Sequence, residues 1–435
     1  MQKTKKLLIF TTDILALFLS FFISLRIGYL YTFTTDIYKT HIGPFLIIYA
    51  VWMILLFSFG LYETENLRPK TKNIKNLVAS LILSFLVSMA FFYIFEIFGI
   101  SPKTNLVINT TVFALIFVLA RRLVTYIYKK KFIEKILLIG QGSYIEKLKN
   151  HFSKNDDHYE IKTHIEKLDE NSIKQIQNQK YDIVIYDKKD IEENILSQNI
   201  KTFFQNNISF MDTRKAFEEI LCKIPEDLVD EILLIDNTNK FENKIYEIVT
   251  RFLETILAIL GLIILSPVLF ISMIILKIQD GGPFVYSQKR TGKGGKEFEI
   301  YKIRSMIINA EKNGAQWSNA NDNRITRFGK ILRNTHLDES LQLLNIIKGD
   351  ISIVGPRPER REFIVDIEKE IKKYHLRHLI KPGITGWAQI NYKYGSSIED
   401  AKEKFEYDLY YVKNRNIFLD LVIILRTIQK VFFNN

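Results

Sequence analysis

The chain has 435 residues, 47% of them hydrophobic and 25% charged, which leaves room for about two or three domains and excludes both a pure membrane bundle and a disordered chain. A net charge of +12 suits nucleic acid, anionic lipid or a phosphorylated substrate, and the long apolar segments argue against nucleic acid. The lone cysteine, Cys222, leaves no disulfide framework or cysteine-based zinc site and fits a reducing, cytosol-facing location.

Four mainly apolar segments come first, over Leu7–Leu30, Ile42–Tyr62, Leu77–Phe98 and Leu106–Ala120. About 20 apolar residues are needed to cross the hydrocarbon core as a helix. Three segments are long enough, and the fourth is if Asn109, Thr110 and Thr111 lie near its entry. The first ends in no small-residue cleavage pattern, so it reads as a span and not as a signal peptide. Arg26 and Glu96 sit near segment ends, and Asp13 is expected to face the bundle interior. Lys3, Lys5 and Lys6 precede the first span. Arg68, Lys70, Lys72 and Lys75 lie between the second and third, and Arg121, Arg122, Lys129, Lys130 and Lys131 follow the fourth. The other loops carry only Lys39 and Lys103, so both ends of this four-helix transmembrane domain, residues 1–125, are predicted to face the cytoplasm.

The next region, 132–236, reads as a small parallel α/β unit. Lys135–Gly142 (KILLIGQG) is an apolar strand with a glycine turn, and Tyr181–Tyr186 and Ile208–Met211 are further strands. A dinucleotide fingerprint wants a third glycine where Ile145 stands, and His158 and Glu160 are poor stand-ins for the ribose-binding acid. The expectation is a degenerate Rossmann-like domain with a scaffold or regulatory role and no nicotinamide cofactor.

After a linker at Asp236–Lys244, Phe252–Leu276 carries one charge, Glu254. Basic residues flank it on both sides, and Ser266-Pro267 interrupts it. The half before the break is about 15 residues, ~22 Å as a helix, short of the ~30 Å core. These features predict a re-entrant hairpin over about 247–280; a simple spanning helix is the alternative. From residue 282 glycine and basic residues cluster around short strands. Phe284–Arg290 and Glu297–Ile303 flank a GKGGK turn, the pattern of a hairpin. Lys302 and Arg304, two residues apart, project from one strand face and suit a pyrophosphate, or are solvated edge charges.

Thr335-His336-Leu337-Asp338 matches a capping box, and Leu337, Leu341, Leu344 and Ile347 follow at helical spacing. On spacing alone Asp338 reads as a helix cap. A carboxylate there can also attack phosphorus if a divalent metal screens the two anions, and the adjacent Glu339 can hold that metal. Magnesium is the usual ion beside phosphate. A strand-like run, Ile351–Val354, then leads into a rigid Gly355-Pro356-Arg357-Pro358 turn.

The segments YKIRSM (301–306), RITRFGKILRNTHLDE (324–339), GDISIVGPRPE (349–359), KPGITGWAQI (381–390) and YDLYYVKNRNIFLDL (407–421), with Ser266-Pro267, stand in one order. Together they resemble the large bacterial polyprenyl-phosphate sugar phosphotransferases, the monotopic phosphoglycosyl transferases that begin exopolysaccharide, capsule or O-antigen assembly. The resemblance is carried by residues 244–435, and the four spans and α/β unit are similar to the amino-terminal half of the same family. It implies an α/β catalytic domain at 244–435, on the cytoplasmic face of the bacterial inner membrane. It also implies a ping-pong reaction. Asp338 attacks the β-phosphate of a UDP-sugar and releases UMP, and undecaprenyl phosphate from the lipid bilayer then takes the phosphosugar. In that picture Glu339 is the Mg2+ partner and Arg357 a nucleotide-phosphate contact. Lys302, Arg304, Arg333 and Asp408 match the polar substrate-binding set, and a homodimer is implied. The family usually reads DELPQL where this chain has DESLQL, with Ser340-Leu341 replacing Leu-Pro, and Glu254 stands where aspartate is typical. An NAD-dependent sugar-nucleotide dehydratase or epimerase and a non-catalytic assembly scaffold are the alternatives.

Overall fold

The computed structural model describes residues 2–62, 71–94, 103–128, 133–155, 159–167, 181–190, 208–229, 244–308, 310, 322–392, 395 and 397–433. Arg68, Lys70, Glu96, Lys129, Lys130, Lys131, His158 and most of the linker after Asp236 lie outside them. The chain divides into two compact units, Met1–Thr213 and Arg214–Asn435.

The first unit begins with four helices, α1 (Gln2–Gly28), α2 (Thr35–Ser58), α3 (Thr71–Ile94) and α4 (Lys103–Tyr128). Each contains a stretch long and apolar enough to cross a membrane. Phe21, Phe45, Trp52, Leu56 and Phe113 fill the space between them, while Leu15, Ile82, Leu86 and Leu119 face outward as lipid-facing residues do. Asp13 is buried as expected, and its partner is Arg121, with Nη2 2.7 Å from Oδ2. Arg121 therefore belongs inside the bundle and not to the basic flank, because an isolated buried aspartate would be costly. Asn109 also differs from expectation: it is buried and donates to the Tyr49 hydroxyl at 2.7 Å. Thr110 and Thr111 return their hydroxyls to the carbonyls one turn earlier, at 2.8 and 2.9 Å, which lets polar residues sit within an apolar helix.

The same unit then forms a parallel α/β layer: β1 (Glu134–Ile139), α5 (Ser143–Asn155), β2 (Tyr159–Ile165), β3 (Ile183–Tyr186) and β4 (Ser209–Asp212), in the order β2-β1-β3-β4. Strand β2 had no counterpart in the sequence reading. Its inward residues alternate with Glu160 and Lys162, and it has no apolar run of the kind that marks β1 and β3.

The second unit opens with α6, which starts at the junction (Thr213–Ile220), followed by the long apolar helix α7 (Lys244–Asp280). Helix α7 is continuous through Pro267. Proline has no N–H for the Ile263 carbonyl four residues back, and the Ser266 hydroxyl donates to that carbonyl at 2.7 Å instead. Ile264, 73% exposed, and Ile278, 81% exposed, lie on its bare face, and Ala258, Ser272 and Leu276 on its buried one. Both ends of α7 grip the α/β core. Arg251 donates to the carbonyls of Ile346 and Ile347, Glu254 Oε1 accepts the Ile353 amide at 2.9 Å, and Asp280 pairs with Arg304 at 2.8 Å.

The core is two small sheets and the helices around them. β5 (Val285–Thr291) and β6 (Glu297–Ile303) form the expected antiparallel hairpin, with Val285 opposite Ile303 and Thr291 opposite Glu297. α8 (Arg327–Asn334), α9 (Gln342–Lys348) and β7 (Ser352–Val354) follow, then α10 (Arg361–Glu370) and β8 (Gly383–Thr385). α11 (Trp387–Asn391), α12 (Ile398–Asn414) and α13 (Ile417–Phe433) complete it. β7 and β8 pair in parallel, Ser352 with Gly383 and Val354 with Thr385. A Cβ on Gly383 would stand 2.1 Å from the Gly355 nitrogen, so only glycine lets the KPGITG segment press against the GPRP turn.

Candidate functional site

The acid pair does not open a helix. Thr335 closes α8 as its C-cap, with its hydroxyl donating back to Ile331 at 2.8 Å, and His336 turns left-handed at φ 56°. Leu337–Glu339 then make one 3-10 turn, and α9 starts at Gln342. Thr335 and Asp338 therefore do not form the expected capping box. The sequence pattern is compatible with a cap, but α8 runs directly into Thr335 and uses its side chain at the other end. Ser340, the departure from the family pattern, donates to the Leu337 carbonyl at 2.6 Å and tightens this turn.

The turn sets the two carboxylates in different surroundings. Asp338 is 8% exposed. Burial pushes its carboxyl above the usual range, the Glu339 charge adds to this, and Lys302, Arg333 and His336 oppose it. Burial would raise Glu339 too, but Arg357 and Lys302 hold it well below the usual range. Both cations reach one oxygen: Lys302 Nζ and Arg357 Nη2 each lie 2.7 Å from Glu339 Oε1. Two neighbouring acids with opposed shifts are a recurrent arrangement where one group must react and the other must stay charged.

Lys302, Arg333 and Arg357 thus converge on the acid pair, with Arg333 Nε also donating to the Ser305 hydroxyl at 2.9 Å. The other two expected contacts are engaged elsewhere. Arg304 is buried and makes a two-point pair with Asp280 at the end of α7, so it does not share the role of Lys302. Asp408, 2% exposed, lies in the interior 2.8 Å from Arg377. Arg377 in turn donates to the Arg357 carbonyl at 2.9 Å and to the Tyr374 hydroxyl at 2.5 Å, bracing the GPRP turn from behind.

Two residues of this frame escaped the sequence reading. Asn345 is fully buried; it accepts from the Tyr301 amide at 3.0 Å and donates to the Glu299 carbonyl at 2.6 Å, stitching α9 to β6. An asparagine at an inward helical position in LQLLNIIKG was the available signal. Arg377 had none, because in KKYHLRHLIK it reads as one more solvated cation.

In the α/β layer the Gly140-Gln141-Gly142 loop is met by its own carboxylates. The Gln141 amide donates to Asp190 Oδ2 at 3.1 Å, and a Cβ on Gly142 would lie 2.4 Å from Asp187 Oδ2.

The second unit thus gathers cations around an acid pair and carries a long apolar helix. The family model described as bacterial sugar transferase matches residues 245–434. A protein of Bacillus subtilis named putative undecaprenyl-phosphate N-acetylgalactosaminyl 1-phosphate transferase is 43% identical over 132 residues, 30% of this chain and 74% of that protein. The chain belongs to the bacterial sugar transferase family. It is also 40% identical over 187 residues to the UDP-N-acetylgalactosamine-undecaprenyl-phosphate N-acetylgalactosaminephosphotransferase of Aeromonas hydrophila, across 43% of this chain and 44% of that one. Against the UDP-glucose:undecaprenyl-phosphate glucose-1-phosphate transferase of Xanthomonas campestris pv. campestris, identity is 40% over 190 residues, 43% and 39% of the two chains. The match thus spans less than half the length of these two relatives.

Proposed function

We propose that this protein transfers a sugar-1-phosphate from a UDP-sugar to undecaprenyl phosphate, giving undecaprenyl-diphosphate-sugar and UMP. The observation that carries this reading is the split acid pair, Asp338 buried with a raised pKa and Glu339 held ionised by Lys302 and Arg357. An Asp338 carboxylate oxygen attacks the β-phosphorus, and the bond from that phosphorus to the bridging oxygen breaks, so UMP leaves with the electron pair. A phosphate oxygen of undecaprenyl phosphate then attacks the same phosphorus and expels Asp338, restoring the carboxylate. Relatives are named for N-acetylgalactosamine and for glucose, which leaves the sugar to a direct screen.

The donor set fits a magnesium ion. Among the described residues no three or more His, Cys, Asp and Glu side chains gather as a metal cluster. One carboxylate, Glu339, is nevertheless enough for an ion that takes its remaining ligands from substrate phosphate and water. With both cations on Oε1, Glu339 would offer Oε2. The ion would screen the charge of the diphosphate as Asp338 approaches.

The placement of this chemistry is part of the same proposal. Helix α7 is read as dipping into one leaflet and returning: both of its ends grip one α/β core, and the bend would fall at Pro267, where the Ile263 carbonyl accepts from the Ser266 hydroxyl. The catalytic unit then lies on the cytoplasmic face of the inner membrane, at headgroup depth where a lipid phosphate waits. The Rossmann-like layer is a scaffold, because the loop amide that would face a pyrophosphate donates to Asp190. The protein is read as a homodimer acting at the first membrane step of exopolysaccharide, capsule or O-antigen assembly. Incubating the purified full chain with a panel of UDP-sugars, undecaprenyl phosphate and Mg2+ tests the reaction. UMP release that requires Mg2+ and is lost in Asp338→Asn is expected. Normal turnover by that variant would overturn the covalent route.

A further inference from the structure

Residues 214–229 precede the stretch matched by the family model, 245–434, yet they are built into the catalytic unit. Lys223 Nζ lies 2.6 Å from Glu403 Oε2 and 3.0 Å from Glu406 Oε2, the latter on a residue only 1% exposed. The Ile224 amide donates to the Glu406 carbonyl at 2.9 Å. On the other side Lys373 closes a ring: its amide donates to Glu226 Oε1 at 3.3 Å and its Nζ to the Val229 carbonyl at 2.8 Å. Between these grips Ile224 and Val229 are buried in one core with Ile371, Tyr374, Phe405 and Leu409.

Both grips fall beside the brace behind the GPRP turn. Lys373 immediately precedes the 3-10 turn Tyr374–Leu379 that carries Arg377, and Glu406 stands on α12 two residues before Asp408. Tyr374, which accepts from Arg377, also packs its ring 5.3 Å from that of Phe405. We infer that residues 222–229 are a strap that positions Arg357, acting through Lys373, Glu406 and the buried Arg377–Asp408 pair. Lys223 and Glu226 are then positioning residues: they touch no substrate but set where the Arg357 turn stands. This rests on the proposed function, in which Arg357 meets the donor nucleotide. A strap lying before the matched region makes the working catalytic unit of this chain longer than that region, and truncation at residue 244 would remove it.

The test uses the full chain and the UDP-sugar that the wild type turns over best. Lys223→Met is expected to raise the KM for that donor about fivefold or more while kcat stays within about twofold, and Lys223→Arg is expected to restore it. In an Arg357→Ala background the same substitution should add almost nothing to KM, because the group being positioned is gone. A purely structural strap would lower the melting temperature and the active fraction while leaving KM unchanged, and that result overturns the inference. So does a Lys223→Met effect that simply multiplies with Arg357→Ala. If Lys223→Met does not fold, Glu226→Ala removes the acceptor of the Lys373 amide, together with the ion pair to Lys402, and gives the same readout. Absence of UMP release by the wild type overturns the functional reading itself, whereas release with an unchanged KM overturns the strap alone.

Discussion

Two glycine turns in this protein follow parallel strands, and they end differently. After β1, Gly140-Gln141-Gly142 makes room for Asp187 and Asp190, and the Gln141 amide is consumed by a carboxylate of its own unit. After β7, Gly355 makes room for the backbone of Lys381–Gly383, and the turn then holds out Arg357, 40% exposed at its side chain, toward Glu339. A glycine reports that something comes close to the backbone. What comes close decides whether the turn is closed or is part of a site.

The largest expected effect tests the open turn at its target. Asp338→Asn should abolish the phosphosugar adduct on the protein, seen by intact-mass measurement after donor is added without acceptor, and lower turnover at least about a thousandfold. An adduct that persists would move the nucleophile elsewhere and leave the GPRP turn without a reacting partner. Next, Arg357→Ala removes one of the two cations on Glu339 and should lower kcat/KM for the donor about a hundredfold. A change under threefold would make the second turn as closed as the first.

The pH profile is a finer probe. In the proposed reaction the attacking group is ionised Asp338, whose pKa is raised by burial and by the Glu339 charge, so activity should fall, as pH falls, at a higher pH than an ordinary carboxylate would give. Glu339→Gln removes the second cause and should shift the acidic limb of kcat/KM to lower pH. Lys302→Met removes an opposing charge and should shift it to higher pH. Limbs that stay in place would assign the titration to another group. The smallest effect is expected at the closed turn: Asp190→Ala should cost about 1 kcal/mol in stability, with donor kinetics unchanged. A melting shift on adding NAD to the wild-type protein would break the comparison, since it would mean the β1 loop accepts an anion after all.

The amount legible beforehand varied with the kind of signal. The four spans, the β5–β6 hairpin, β1 and β7 came from apolar period and turn residues, which are local properties. Strand β2 carries the strand period in Tyr159-Glu160-Ile161-Lys162 but has no apolar run to mark it, so it stands out less than β1 and β3. The acid pair was found, but its support was misread, since T-x-x-D fits a cap equally well at the start of one helix or after the end of another. Arg304 and Lys302 share a spacing but not a partner, and only the approach of α7 through Asp280 separates them.

Sequence alone determined that this chain has a membrane-embedded part, an α/β part and an acid pair among cations, because apolar length, strand pattern and residue type are carried by neighbours along the chain. Tertiary structure decided what each charge does. Arg121 became the partner of Asp13, Asp408 the support for Arg377, and Lys223 the far end of a strap, each because a buried charge is stable only beside its opposite. Those partners are separated by long stretches of sequence, and no local pattern records which one the fold will bring near.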